Sequence, residues 1–334
     1  MGGVWQHPRF SQRRPTRIFA RRGEGKRPSS DWTWHVLPRR KRGTICATVR
    51  TTILESMNLL TTIRNRFHPL WRIRRTPWLF NFFHRLDFPV WARCRSLGVR
   101  MRVMWFRDMP WLFQSLPREP EFNRVIERVC EIFQPKVFWD IGANVGWFTW
   151  LVNARTSLTH AVLFEPFPLN EGLLGQTIAK NGFTHMRVVR SAVADRVGEV
   201  SFKVDDKSGA TGQIAEIYDT SGDSAIAHTY GLKSEINVPT TTMDVEIAAG
   251  APVPDLIKMD IEEAEHLAMK GAEKLIALGR TIIAFECLKM EAMDILKSKG
   301  WAVFRVDDLH NYLALPPAFI ERAQAITHSL TRME

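Results

Sequence analysis

The chain has 334 residues, 45% of them hydrophobic and 24% charged, with a formal net charge of +11. That length and composition suit one substantial domain with an extension and exclude wholesale disorder. The charge is uneven: residues 1–120 carry 25 Lys and Arg against 6 Asp and Glu, a net +19, and the remainder carries 21 against 29, a net −8. A basic extension therefore precedes an acidic body. Cys46, Cys94, Cys130 and Cys287 form no C-x-x-C spacing, which argues against a disulfide framework or a zinc site. No run reaches the ~18 to 20 apolar residues of a membrane span. A cytoplasmic location is expected, with a mitochondrial presequence as the alternative for the Arg-rich, acid-poor start.

Residues 1–56 are rich in Arg, Pro, Gly and Ser and are expected to be a disordered basic segment. Met57 opens a more protein-like stretch, so an overextended start would account for what precedes it. Residues 57–120 interleave aromatics with arginines (Trp71, Arg72, Trp78, Phe82, Arg85, Trp91, Arg93, Trp105). A helical cap on the following domain is the first expectation; peripheral contact with an anionic membrane and single-stranded nucleic-acid binding compete with it.

From residue 121 to 334 the pattern alternates between helix and strand. Glu121–Phe133 places Phe122, Val125, Ile126 and Val129 at helical spacing. Short β-rich runs follow at 136–141, 161–164, 186–193, 255–259, 281–285 and 301–306. Such alternation predicts an α/β fold with a mostly parallel sheet covered by helices on both faces.

The strongest motif is Val137-Phe-Trp-Asp140-Ile-Gly142-Ala143-Asn144-Val-Gly146-Trp-Phe-Thr149. It reads as an apolar strand, a glycine turn and an apolar helix, the arrangement that brings backbone close to a ligand. Nineteen residues on from Gly146, a second strand ends in Phe164-Glu165-Pro166, where a carboxylate can accept the ribose hydroxyls of an adenosine-containing cofactor. The G-x-x-x-G spacing departs from the dinucleotide G-x-G-x-x-G. Asp140 beside it would repel a pyrophosphate and suit the cationic amino acid end of S-adenosylmethionine.

These segments, with Asp255-Leu-Ile-Lys-Met-Asp260-Ile-Glu262 followed by Glu265, and Phe285-Glu286, resemble the FkbM family of methyltransferases. The resemblance covers roughly residues 121–315. It implies a Rossmann-like class I methyltransferase fold with a seven-stranded sheet, the last strand antiparallel, and Asn311–Leu315 as one of the final strands. It also implies methyl transfer from S-adenosylmethionine to a hydroxyl on a sugar, glycan or secondary metabolite. Carried over by position, Asp140, Gly142, Ala143, Asn144, Gly146 and Glu165 would contact the cofactor, and Ser191 and Ala192 would border the adenine. The departure is Glu263, where the family pattern D-x-E-G-x-E has glycine.

A hydroxyl nucleophile must lose a proton to a general base or a metal. Asp260, Glu262 and Glu286, at the carboxyl ends of the fourth and fifth strands, are the catalytic candidates. Asp260 and Glu286 are also the possible ligands of a Mg2+ ion. Lys258 reads as sheet support and His266 as a helix-face residue. The polar stretch 205–235 is expected to be a flap over substrate. The acceptor is expected to be a small molecule or glycan. An RNA methyltransferase gripping phosphates with the basic extension, and a non-catalytic scaffold bound to a membrane or partner, are the competing functions; nucleic acid is disfavoured because no N-P-P-Y type signature is present.

Overall fold

The computed structural model describes residues 76–108, 119–204, 212–214 and 234–333, all within one unit, Pro69–Glu334. The expected disorder of 1–56, the first part of the 57–120 segment and most of the 205–235 flap lie outside the described residues.

A nine-residue helix, α1 (Pro77–Arg85), leads into an antiparallel hairpin of β1 (Pro89–Cys94) and β2 (Val99–Met104), in which Trp91 pairs with Arg102 and Arg93 with Arg100. Burial alternates along the hairpin with the strand period of two. Its inward residues Cys94, Val99, Met101 and Val103 pack in the same cluster as Phe122, Ile126, Phe138 and Leu174. Its edge is pinned as well: Arg102 N donates to Thr177 Oγ1 at 2.8 Å, and Asn181 accepts from Arg100 N at 3.0 Å while donating to Arg100 O at 2.8 Å. The core thus runs without a break across residue 120.

The body continues with α2 (Pro120–Phe133), β3 (Val137–Ile141), α3 (Trp147–Arg155), β4 (His160–Phe164), α4 (Pro168–Asn181) and β5 (Met186–Val189). Then come β6 (Ala192–Val193), β7 (Gly198–Val204), β8 (Gly212–Ile214), β9 (Ser234–Thr241) and α5 (Met243–Ala248). The last part holds β10 (Leu256–Met259), α6 (Glu265–Lys270), α7 (Glu273–Leu278), β11 (Ile282–Glu286), α8 (Glu291–Ser298), β12 (Ala302–Arg305), β13 (Asn311–Leu315), α9 (Gln324–Thr327) and β14 (Thr331–Met333). Proline opens α2, where its missing N–H costs nothing, and the helix stops at Gln134 in the left-handed region (φ 49°).

The main sheet has the order β14-β12-β13-β11-β10-β3-β4-β5. The five strands from β11 to β5 are parallel, and β13 runs antiparallel between β11 and β12. The α/β fold and the antiparallel late strand therefore follow expectation. Alternate strand residues feed two cores: Phe138, Leu256 and Ala284 face one side, and Trp139, Ile257 and Phe285 the other. Strands buried on both faces read as the continuous apolar runs seen in the sequence.

Two expectations change. The described sheet has eight strands rather than seven, because β14 adds a short antiparallel edge beside β12. The run 186–193 is two strands rather than one: a tight turn, with Ser191 N donating to Val189 O at 2.9 Å, sends β6 into a second sheet of order β6-β9-β7-β8. Among the described residues no helix is long and apolar enough to cross a membrane.

Strand order reverses at β3, from which β4 and β5 extend one way and β10 and β11 the other. A crevice at such a switch point, outside the carboxyl ends of the strands, is where open α/β sheets bind ligands.

Candidate active site

The turn after β3 is held first by backbone hydrogen bonds. Gly142 N and Ala143 N both donate to Phe164 O at 3.0 Å, and Gly146 N donates to Ala143 O at 2.7 Å. Gly142 has φ +76°, and a Cβ there would stand 2.0 Å from the Asp260 carbonyl oxygen. Dihedral and space both demand glycine. Gly146 (φ +78°) precedes the first residue of α3, and its Cβ would meet the Trp150 ring at 2.6 Å. Asn144 also lies in the left-handed region (φ 50°), which asparagine tolerates better than most residues.

Glu165, at the tip of β4, is buried. Its Oε2 accepts from Asn144 N at 2.7 Å and its Oε1 from Phe167 N at 3.0 Å, so the carboxylate clamps the glycine turn to the β4–α4 connection. The Asn170 side chain also bonds this carboxyl, so only part of its acceptor capacity is left for a ligand hydroxyl. Burial pushes the Glu165 carboxyl up to about 7, against the opposing pull of the two backbone N–H groups and of Arg107. That arginine follows β2 and is itself buried in an ion pair with Asp108 at 2.8 Å.

A cavity of about 200 Å³ opens here. Its lining includes Gly142, Ala143, Asn144, Glu165, Ser191 and Ala192, and with them Glu119, Lys258, Asp260, Glu262 and Glu286. Two expected cofactor residues, Asp140 and Gly146, do not line it. Asp140 is 1% exposed; its Oδ2 accepts from Thr149 N at 3.1 Å and Thr149 Oγ1 at 2.7 Å, which fixes the first turn of α3. Burial pushes its carboxyl up, opposed first by Lys258. Asp140 therefore acts behind the wall.

Lys258 is the residue that sequence reasoning undervalued. It pairs with Asp140 in the register between β10 and β3, on the same sheet face. Its Nζ donates to Gly142 O at 3.1 Å, reaches Asp260 Oδ2 at 3.4 Å and Asp140 Oδ1 at 3.9 Å, and lies 5.1 Å from the centre of the Phe148 ring. Burial alone would lower its pKa, yet the charges of Asp260, Asp140 and Glu119 outweigh it and the net direction is up. The available signal was a lysine inside the apolar Leu256-Ile-Lys-Met259 strand, since a buried ammonium requires anionic partners. Glu119 and Phe167 were missed because their place at the cavity depends on the chain reaching it from other elements.

The acids differ in environment. Asp260 is 30% exposed at its side chain and has Lys258 as partner. Glu262 and Glu286 are pushed towards their neutral forms, first by burial and then by the charge of Asp260. Glu265 is buried, accepts from Ile261 N at 3.1 Å and is pushed up to about 8, mainly by burial. It shapes the loop rather than facing the cavity. Glu263, at the atypical position, has φ +73°, the conformation a glycine would take freely, and its neighbour Glu262 has φ +53°. Its side chain leaves the cavity to meet Lys289 Nζ at 3.2 Å. His266 bonds the Glu263 carbonyl through Nδ1 at 3.1 Å, and burial lowers its pKa.

Among the described residues no group of three or more His, Cys, Asp or Glu is arranged to hold a metal ion. Of the two acids expected as possible Mg2+ ligands, Asp260 is paired with the Lys258 ammonium at 3.4 Å.

The family model described as the methyltransferase FkbM domain matches residues 140–314. No curated protein matches the chain. Among solved structures, the chain is similar to a methyltransferase FkbM from Methylobacillus flagellatus KT, with 15% identity and a TM-score of 0.39, covering 63% of this chain and 59% of that one. It thus spans only 59% of the length of that protein. A precorrin-6y C5,15-methyltransferase from Geobacter metallireducens GS-15 has 11% identity and a TM-score of 0.34, covering 60% of this chain and 89% of that one.

Proposed function

Since the chain belongs to the methyltransferase FkbM domain family, we propose that it carries a methyl group from S-adenosylmethionine to a hydroxyl oxygen of a sugar, glycan or secondary metabolite. The observation that carries this reading is one cavity lined both by a glycine turn with a hydrogen-bonding carboxyl group and by an acid cluster around one lysine.

The residues suit the methyl donor. Glu165 lines the cavity as an acceptor for a ribose hydroxyl, Ala192 and Phe167 offer apolar wall to a base, and the acids favour a cationic ligand. Bound S-adenosylmethionine supplies an activated electrophile, a methyl group on a sulfonium sulfur. What remains for the protein is to align the acceptor oxygen, exclude water and take a proton.

For the proton, the acids divide the work. Asp260 pairs with Lys258, and its charge raises the proton affinity of Glu262 and Glu286. A carboxylate so raised is the stronger base towards an alcohol, and its optimum lies nearer neutral pH. Glu262 or Glu286 accepts the hydroxyl proton, and Asp260 tunes them. Lys258 is a positioning residue that ties this cluster to Gly142 O and hence to the cofactor turn.

The test is incubation with methyl-labelled S-adenosylmethionine and extracts of glycans and small metabolites, followed by mass spectrometry of the product. A label on oxygen of a hydroxylated small molecule or glycan is expected. A label on nitrogen, or on RNA alone, would refute the proposal.

A further inference from the structure

Among the described residues, five large apolar side chains exposed to solvent crowd into one short stretch: Trp78, Phe82, Leu86, Phe88 and Trp91. They stand on the outside of α1, at its end and along β1. The inner side of α1 is apolar too: Phe80 and Phe83 stack on Phe106 with ring centroids 5.3 and 5.7 Å apart. The outward side of α1 thus exposes Trp78 and Phe82 beside Asn81 and Arg85, more apolar surface than the polar outer face that water selects.

The patch is continuous and preformed. Phe82 touches Phe83, Phe83 touches Trp105, and Trp105 touches Phe88, each with ring centroids within 6.0 Å. Trp105 Nε1 donates to Leu86 O at 2.8 Å. Arg85 is exposed at the end of α1, and Arg95 and Arg100 are exposed at the turn end of the hairpin. The single acid between residues 76 and 104, Asp87, spends both oxygens on the backbone N–H groups of Phe106 and Arg107, at 2.9 and 3.0 Å. The outward face is therefore apolar and cationic with no exposed counter-charge of its own.

We propose that the outer surface of α1 and the β1–β2 hairpin docks on an anionic lipid surface, with Trp78, Phe82, Leu86 and Phe88 entering the interface and the arginines meeting acidic headgroups. Exposed aromatics beside cations are the composition of interfacial segments, and acidic headgroups supply the complementary charge. A second copy of the chain fits poorly, since its matching patch would set arginine against arginine. Single-stranded nucleic acid fits less well than lipid, because the Trp91 ring that would stack a base already has the Arg102 guanidinium 5.1 Å and the Lys180 ammonium 5.8 Å from its centre. Leu86, moreover, offers no stacking face.

The test is sedimentation of the full chain with phosphatidylcholine vesicles, with and without added phosphatidylglycerol, at about 0.15 M salt. Binding is expected only with the anionic lipid. The double substitution Trp78→Ser/Phe82→Ser should lower vesicle binding about tenfold or more. Arg95→Glu/Arg100→Glu should do the same, with thermal unfolding and S-adenosylmethionine binding unchanged in both, because none of these side chains lines the cavity. Unchanged vesicle binding in both variants would overturn the proposal and assign any lipid affinity to the basic residues before residue 76. Equal binding to neutral vesicles, or capture of a single-stranded oligonucleotide that the same substitutions abolish, would also overturn it.

Discussion

Two sets of residues line the cavity, and they are built by different physics. The cofactor set is backbone: glycines in left-handed conformations, two N–H bonds from the turn to the end of β4 and one within the turn, and one carboxyl group clamping two more N–H groups. The acceptor set is side-chain charge: one buried lysine among Asp140, Asp260 and Glu119, with Glu262 and Glu286 pushed towards neutrality and a loop that sets Glu262 and Glu263 at positive φ. Backbone geometry tolerates few residue types and so leaves a motif. A charge cluster tolerates rearrangement so long as its charges balance, and this is where the chain departs from the family's glycine.

Lys258→Met breaks the link between the glycine turn and the acid cluster and should have the largest effect. Removing one partner of a buried pair strands Asp140, and a loss of about 3–5 kcal/mol in unfolding free energy is expected from denaturant titration. A loss below about 1 kcal/mol would mean that Asp140 takes up a proton instead.

In the cofactor set, Glu165→Ala should weaken S-adenosylmethionine binding by about 1–3 kcal/mol in calorimetry. Asp260→Asn should spare that affinity and reduce turnover. Equal loss of binding in both variants would erase the distinction between the two sets of residues.

The raised acids give the comparison a pH axis. For Glu165 (about 7), Glu265 (about 8), Glu262 and Glu286, the folded state holds the proton more tightly than the unfolded chain, whose glutamates titrate near 4.5. Their contribution to stability is therefore full below about pH 4.5 and is lost as pH rises through the folded values. The thermal unfolding temperature of the cofactor-free protein should drop between about pH 5 and 9, and turnover should rise over the alkaline part of that range as the base ionises. Glu286→Gln should flatten the first trend and lower turnover; an unaltered pH–rate profile would leave Glu262 as the base.

The smallest effect is expected at Glu263→Gly. Relief at φ +73° favours glycine by about 1 kcal/mol. The pair with Lys289, whose side chain is 36% exposed, is worth less than a fully buried one. A net stabilisation of up to about 1 kcal/mol should appear in thermal unfolding, and a clear destabilisation would show that the ion pair dominates.

Lys258 and Asp140 show how far the residues could be read without the fold. Both were visible in apolar strands, yet their meeting depends on β10 lying beside β3, which are more than a hundred residues apart in the chain. Likewise 186–193 has one composition but two destinations, because the turn at Arg190-Ser191 is sharp enough to change sheets. The hairpin at 89–104 was hidden by its arginines, which occupy the outer face of strands whose inner face completes the core.

The sequence by itself determined the α/β class, the glycine turn and the carboxylate at the β4 tip, because period, permissive dihedrals and a strand-end acid are local properties of the chain. Tertiary structure alone decided that Asp140 stands behind the cavity wall, that Lys258 governs the acid cluster and that Glu263 turns away towards Lys289. Those outcomes are sums of charge and burial over residues distant in the chain, and no local pattern contains them.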